Sequence, residues 1–334
     1  MDAAAGLWIQ LAIAAGAILW AASYMAGAAD VIAIRTGLGR TFVGVVMLAT
    51  ATSLPELGIG VTSIAALGEP DLAVGDAFGS NLFNLLIIGL LDFFWRDGPL
   101  LNRVSYSAVL IGALGILVIG IAATTIFVHQ GSTFANDFVL SPLSVVLLLT
   151  FAAAMYILYR SEQNGENSEE KDEPTQSLGR AFGIYGISAA VVVVAAVWLA
   201  FVGDSLAAEL GLQRSFIGTQ FLALSTSLPE LAASIAAIRL GAPELAISNL
   251  LGSNLFNMGF ILFIDDAVYV DGPIWEVVAS VHVFTALAGI LMTAVVIIAL
   301  MTQERGRPGR FFTFEAAMLV ALYLGASALV YQLA

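Results

Sequence analysis

Cysteine is absent from this 334-residue chain, and lysine occurs once, at Lys171. The first absence excludes disulfides, thiolate metal sites and cysteine nucleophiles together. The second, with a net charge of −13, leaves no basic surface for nucleic acid or anionic lipid. Histidine is nearly missing too: His129 is read in a loop and His282 inside an apolar run, so neither is expected to bind metal or to catalyse. No His-Glu-x-x-His string and no Ser/His pair in motif context occurs, which argues against an intramembrane enzyme. Charge of either sign is scarce, at 11% of residues against about 25% in soluble proteins.

What remains is apolar: 60% of residues are hydrophobic, and the mean hydropathy is +0.95. A helix needs roughly 20 apolar residues to cross a bilayer, and polar or turn-rich breaks leave ten such runs. They are Leu7 to Ala28, Phe42 to Leu67, Leu72 to Leu91, Val104 to Val128, Phe138 to Tyr159, Ala181 to Val202, Phe216 to Ile238, Leu245 to Ile264, Ile274 to Met301 and Phe311 to Tyr331. The composition therefore predicts an all-α, polytopic membrane protein of ten transmembrane helices. Met1 to Gly6 holds no basic residue, so the first run is expected to stay as a span, not to be cleaved as a signal peptide.

Only Ser161 to Leu178 reads as solvated, with Glu162, Glu166, Glu169, Glu170, Asp172 and Glu173 against one lysine. It divides the chain into a first five-helix repeat (1–160), an acidic linker (161–178) and a second repeat (179–334). Sliding the first half by 174 residues pairs Asp30 with Asp204, Gly37 with Gly211, Arg40 with Arg214, Gly44 with Gly218 and Ala49 with Ala223. After a slip of one residue, Pro70 pairs with Pro243. An odd number of spans per half makes the two copies run in opposite senses. With the loops after spans 1, 3, 5, 7 and 9 on one side, that side holds every basic residue except Arg214. The positive-inside rule then places the linker in the cytoplasm and both termini outside.

The polar residues inside the apolar runs are duplicated letter for letter. Thr52-Ser53-Leu54-Pro55-Glu56 returns as Thr226-Ser227-Leu228-Pro229-Glu230, and Gly79-Ser80-Asn81-Leu82-Phe83-Asn84 returns as Gly252-Ser253-Asn254-Leu255-Phe256-Asn257. Read as helix, Thr52 and Glu56 share a face, as do Ser80 and Asn84. Pro55 supplies no N–H, so the carbonyl of Ala51 should lose its helical partner. Hydroxyl, carboxylate, amide and carbonyl oxygens are the ligands that hard cations such as Ca²⁺ take, six to eight at a time. Nothing here suits a soft metal. Small and Ser/Thr/Asn residues also pack transmembrane helices, and Gly75, Gly79, Asn81 and Asn254 are read that way. Intramembrane carboxylates are functional by default, which singles out Glu56 and Glu230. Asp30 and Asp204, near span ends, are read as interfacial. Asp76, one turn before Ser80 and paired in the repeat with Asn249, stays open between a third acid on the ion path and a solvated residue at a helix start.

These paired strings resemble the two alpha repeats of the cation/calcium antiporter superfamily, most of all its prokaryotic sodium/calcium exchanger branch. The resemblance implies ion coordination by Thr52, Ser53, Glu56, Ser80 and Asn84 with Thr226, Ser227, Glu230, Ser253 and Asn257. It also implies coordination by the backbone carbonyls of Ala49 and Ala223, and spans 1 and 6 as the sliding gate. The implied function is exchange of Na⁺ for Ca²⁺ by alternating access, with no cofactor and no protein partner besides the bilayer. Two departures stand out. Asn257 occupies a position that is aspartate in potassium-dependent members, and Asp76 stands where asparagine is usual. Because protonation neutralises a glutamate as a cation does, exchange of H⁺ for Ca²⁺ at the same site is the alternative. A channel is the next, told apart by the absence of counter-ion dependence.

Overall fold

The structure is a computed structural model, and it describes residues 3–95, 99–131, 138–164, 175–209, 224–302 and 313–333. Among these residues every regular element is helical. The helices are α1 (Ala3–Thr36), α2 (Arg40–Leu67), α3 (Pro70–Phe94), α4 (Ser107–Gly131), α5 (Pro142–Asn164), α6 (Leu178–Glu209), α7 (Leu228–Arg239), α8 (Pro243–Val268), α9 (Val281–Thr302) and α10 (Phe314–Leu333). Nine of the described helices are long and apolar enough to cross a membrane. The expected seventh span is described from residue 224 onward, as one helical turn followed by α7. Its earlier part, with Arg214, Gly218 and Ala223, lies outside the described residues, as does most of the acidic linker.

Two helices exceed their expected length. At about 1.5 Å per residue, the 34 residues of α1 and the 32 of α6 reach roughly 50 Å, well beyond a hydrocarbon core of about 30 Å. The pair pack against each other and against α7, burying an alanine-rich seam of Ala14, Ala21, Ala22, Ala29, Ala33, Ala195, Ala196, Ala233 and Ala237. A second, separate core of larger side chains joins α3, α4, α8 and α9, with Phe78, Leu85, Ile88, Ile111, Ile119, Leu250, Leu255 and Met292 buried in it. Trp8, Ile13, Trp20, Phe127, Ile187, Val194 and Leu291 face outward, half or more exposed. Such an apolar exterior is what lipid solvates.

The duplication is written in the backbone as well as in the letters. Ser53 (φ −90°, ψ 3°) and Ser227 (φ −84°, ψ 3°) leave helical geometry at the same place in each half. Gly68 (φ 68°) and Gly241 (φ 72°) then close α2 and α7 in the left-handed region that glycine adopts without strain. Pro70 and Pro243 open α3 and α8 where their missing N–H costs nothing. Further on, the buried Asp92 accepts a bond from the Leu100 amide at 2.7 Å, and the buried Asp266 one from the Ile274 amide at 2.8 Å.

Candidate ion site

Each half interrupts its motif helix in the same way. In α2 the helix runs to Thr52, turns at Ser53 and restarts at Leu54, so Thr52 and Glu56 are not neighbours on one continuous helix as expected. The cause is Pro55, which fits the first turn of a new helix but not the interior of an old one. Just before the break, Gly44–Leu48 is wound as a π turn, a feature enriched at functional sites. There the hydroxyl of Tyr185 on α6 donates to the Met47 carbonyl at 2.6 Å. The Ala49 carbonyl keeps local partners, accepting from the Ser53 amide at 3.0 Å and the Thr52 hydroxyl at 3.2 Å.

The two breaks come together across the repeat. Ser53 Oγ donates to Glu230 Oε1 at 3.1 Å, so a hydroxyl of the first motif meets the carboxylate of the second. Ser253 Oγ donates to the same oxygen at 3.3 Å. Thr52 Oγ1 lies 3.5 Å from Ser253 Oγ and 3.4 Å from Asn249 Oδ1. The mirror set is Thr226 Oγ1, 3.3 Å from both Ser80 Oγ and Asp76 Oδ1. Asn84 Nδ2 donates to Asn254 Oδ1 at 3.0 Å, and Asn254 Nδ2 to the Asn81 carbonyl at 3.2 Å. Asn81 and Asn254 thus join the two copies at the centre, beyond the packing role expected of them.

All of Thr52, Ser53, Glu56, Ser80, Asn84, Thr226, Ser227, Glu230, Ser253 and Asn257 are buried. The symmetry is nonetheless incomplete. Glu230 Oε1 accepts two hydroxyls, while both Glu56 oxygens, Glu230 Oε2, the Ser227 hydroxyl and both amide atoms of Asn257 make no hydrogen bond within 3.5 Å. The charges of Glu230 and Asp76 and the Thr226 hydroxyl act on Glu56. Unsatisfied buried polar atoms are rare in folded proteins, because each forfeits its solvation. Here they are gathered around two carboxylates, and most are oxygens, the donor type that hard cations take. Among the described residues no three His, Cys, Asp or Glu side chains are grouped as a metal site, so hydroxyl and amide oxygens would have to complete the shell.

Asp76 is buried and accepts from Thr226 at 3.3 Å, so it stands at the edge of this centre and is not a solvated residue at a helix start. Asp30 sits instead against Arg40, near the join of α1 and α2. His129 is not in a loop: it lies buried in the last turn of α4, its Nε2 2.8 Å from Ser141 Oγ, because the apolar run carries the helix through Gly131. His282 meets Asp71 at 3.0 Å. One buried acid was not anticipated. Asp265 follows Ile264, where the apolar run was taken to end, yet α8 continues through Val268 and Asp265 is fully buried.

Fold and site together define a multi-pass membrane protein with an oxygen-lined centre built from two crossed helix breaks. The chain belongs to the sodium/calcium exchanger protein family, whose profile matches residues 6–160 and 180–332. Among curated relatives it is 26% identical over 323 residues to the CaxA protein of Alkalimonas amylolytica, covering 94% of this chain and 95% of that one. It is also 26% identical over 345 residues to the sodium/calcium exchanger MaX1 of Methanosarcina acetivorans, covering 90% and 93%. A solved structure of the sodium-calcium exchanger NCX_Mj has the same fold, with a TM-score of 0.74 at 20% identity, covering 98% of this chain and 99% of that one.

Proposed function

We propose that the protein is a secondary active antiporter exchanging Na⁺ for Ca²⁺ by alternating access. Thr52, Ser53, Glu56, Ser80, Asn84, Thr226, Ser227, Glu230, Ser253 and Asn257, with the Ala49 and Ala223 carbonyls, would bind the ions. The observation that carries this function is Ser53 donating to Glu230 beside a Glu56 carboxylate that has no partner. Two buried acids held this way bear a charge that is costly to move through lipid. One Ca²⁺, or several Na⁺, neutralises that charge and lets the site change sides. The empty site stays put, so movement is exchange and not leak. Both ions need the same carboxylates, and the Na⁺ gradient thereby drives Ca²⁺.

The alanine seam suits α1 and α6 to the moving role. Small side chains make a low-relief surface along which helices slide without unlocking interdigitated ones. We place the linker on the cytoplasmic side and both termini outside, on the distribution of basic residues.

The test is Ca²⁺ uptake into proteoliposomes loaded with Na⁺, with K⁺ or with acid, for the wild type, Glu56→Gln and Glu230→Gln. Uptake that needs internal Na⁺ and is lost in both variants is the expected result. Uptake driven by acid loading without Na⁺ would replace Na⁺ by H⁺ as the coupling ion. Uptake without any counter-ion would make the protein a channel.

A further inference from the structure

Among the buried positions, two break the duplication by adding an acid to one copy. Asp76 corresponds to Asn249. Asp265 has no acidic counterpart, because the matching bonds of Asp92 to the Leu100 amide and of Asp266 to the Ile274 amide set Asp266 against Asp92 and leave Asp265 opposite Leu91. Leu91 is an ordinary member of the apolar core.

The two added acids are both buried. Asp265 is 0% and Asp76 2% exposed, and the charge of Asp76, with that of the neighbouring Asp266, acts on Asp265. Both Asp265 oxygens and Asp76 Oδ2 have no hydrogen-bonding partner. Asp265 points at Gly60 on α2, where a Cβ would stand only 2.6 Å from its Oδ1 and 3.4 Å from its Oδ2. Gly60 is one helical turn past Glu56, so the absence of a side chain there lets the Asp265 carboxylate reach the flank of the central site.

All three residues lie toward one membrane face. Gly60 lies between Glu56 and the end of α2 at Leu67, Asp76 lies between Ser80 and the start of α3 at Pro70, and Asp265 is near the end of α8. From Asn257 to Asp265 is eight residues of helix, roughly 12 Å at about 1.5 Å per residue. That is too far for one ion to touch both, and a fair spacing for successive ion positions.

We propose that Asp265, with the partnerless Oδ2 of Asp76 at the edge of the Glu56/Glu230 centre, forms a second cation station between that centre and the membrane face at the Gly68–Pro70 turn, binding a hard cation, Na⁺ or Ca²⁺. Only the identity of the cargo as a cation is taken over from the antiport proposal. The opposite flank, with Leu91 and Asn249 at the equivalent positions, has no such station.

Equilibrium binding of radiolabelled Na⁺ and of radiolabelled Ca²⁺ to the purified full chain tests this. Wild type, Asp265→Asn, Asp76→Asn, Gly60→Ala and Glu56→Gln are compared, each checked by size exclusion for an intact fold. The expected result is a second class of sites that is lost in Asp265→Asn. Gly60→Ala, whose new methyl displaces the Asp265 carboxylate, should weaken it by about tenfold in Kd. Which label occupies that class says whether the station takes Na⁺ or Ca²⁺. Glu56→Gln should lose the first class and keep the second. Unchanged binding in Asp265→Asn and Gly60→Ala, with loss in Glu56→Gln, overturns the station and leaves the central site standing. Full binding in Glu56→Gln with loss in Asp265→Asn overturns the central site instead. Should Asp265→Asn not fold, Gly60→Ala decides between the same outcomes.

Discussion

Glu56 and Glu230 are equivalent in the repeat but not in their surroundings, and that difference has consequences at the level of single side chains. Glu230 accepts Ser53 and Ser253, whereas Glu56 accepts neither of the corresponding hydroxyls. Glutamine at either position removes one carboxylate from the centre. Ca²⁺ uptake should fall by about a hundredfold in each, or about 2.8 kcal/mol at about 1.4 per tenfold. Glu230→Gln should in addition lower the melting temperature more than Glu56→Gln, because it weakens two existing hydrogen bonds to a charged group. Equal melting temperatures for the two variants would count against the asymmetry. Asn257→Asp adds a carboxylate beside atoms that have no partner. Each transport cycle must then neutralise one more charge, so Na⁺ dependence of Ca²⁺ uptake should steepen by about one in Hill slope. An unchanged slope would mean that position 257 does not face the ions. The identity of these side chains was legible from sequence, since amides and acids inside apolar runs need a reason to be there. Which hydroxyl serves which carboxylate was not, because Ser53 lies 177 residues from Glu230 and Thr226 lies 150 from Asp76, and these pairs meet only across the repeat.

At the scale of the helix, α2 and α8 cross so closely that one methyl decides the fit. A Cβ at Gly252 would lie 2.8 Å from the Val45 Cα and 3.1 Å from the Ala49 Cβ, and a backbone atom cannot step aside. Gly252→Ala should destabilise by about 1–3 kcal/mol through overpacking and lower the melting temperature of the purified protein. Gly16→Ala on α1, with nothing within 4 Å, is its control and should leave melting unchanged or raise it slightly. The π turn of α2 offers a second probe. Tyr185→Phe removes the hydroxyl that holds the Met47 carbonyl, a bond worth about 1 kcal/mol, and it links α6 to the motif helix. Altered exchange rates with unchanged equilibrium Ca²⁺ binding are expected, and loss of Ca²⁺ binding would instead make Tyr185 part of the site's support. Pro55 announced a bend in α2. It did not announce that the helix would stop at Thr52 and start again, since a kink and a break differ only in how neighbouring helices receive the freed groups.

Over the whole molecule, the separation of the two apolar cores divides α1 and α6 from most of the remaining helices. If α1 and α6 slide along the alanine seam they share with α7, a tether across that seam stops exchange without destroying the site. A Cβ at Gly27 on α1 would lie 3.9 Å from a Leu240 methyl just past α7. The chain has no cysteine of its own, so Gly27→Cys with Leu240→Cys can be joined by a short thiol cross-linker with no background reaction. Joined protein should bind Ca²⁺ yet fail to exchange it, and the unjoined double variant should exchange normally. Exchange by fully joined protein would place the moving boundary elsewhere.

Membrane class, span count and duplication were decided by sequence alone, because hydrophobic length and repeated letters are local properties of the chain. So was the chemistry of the site: oxygen donors of several kinds around two acids, in a chain without thiols. The cross-repeat bonds, the stretch of α8 that buries Asp265, the membership of Asp76 and the unequal treatment of Glu56 and Glu230 were decided only by tertiary structure. In an apolar interior a polar atom's role depends on which other polar atoms can reach it. That is a property of how distant helices pack, and no window of neighbouring residues contains it.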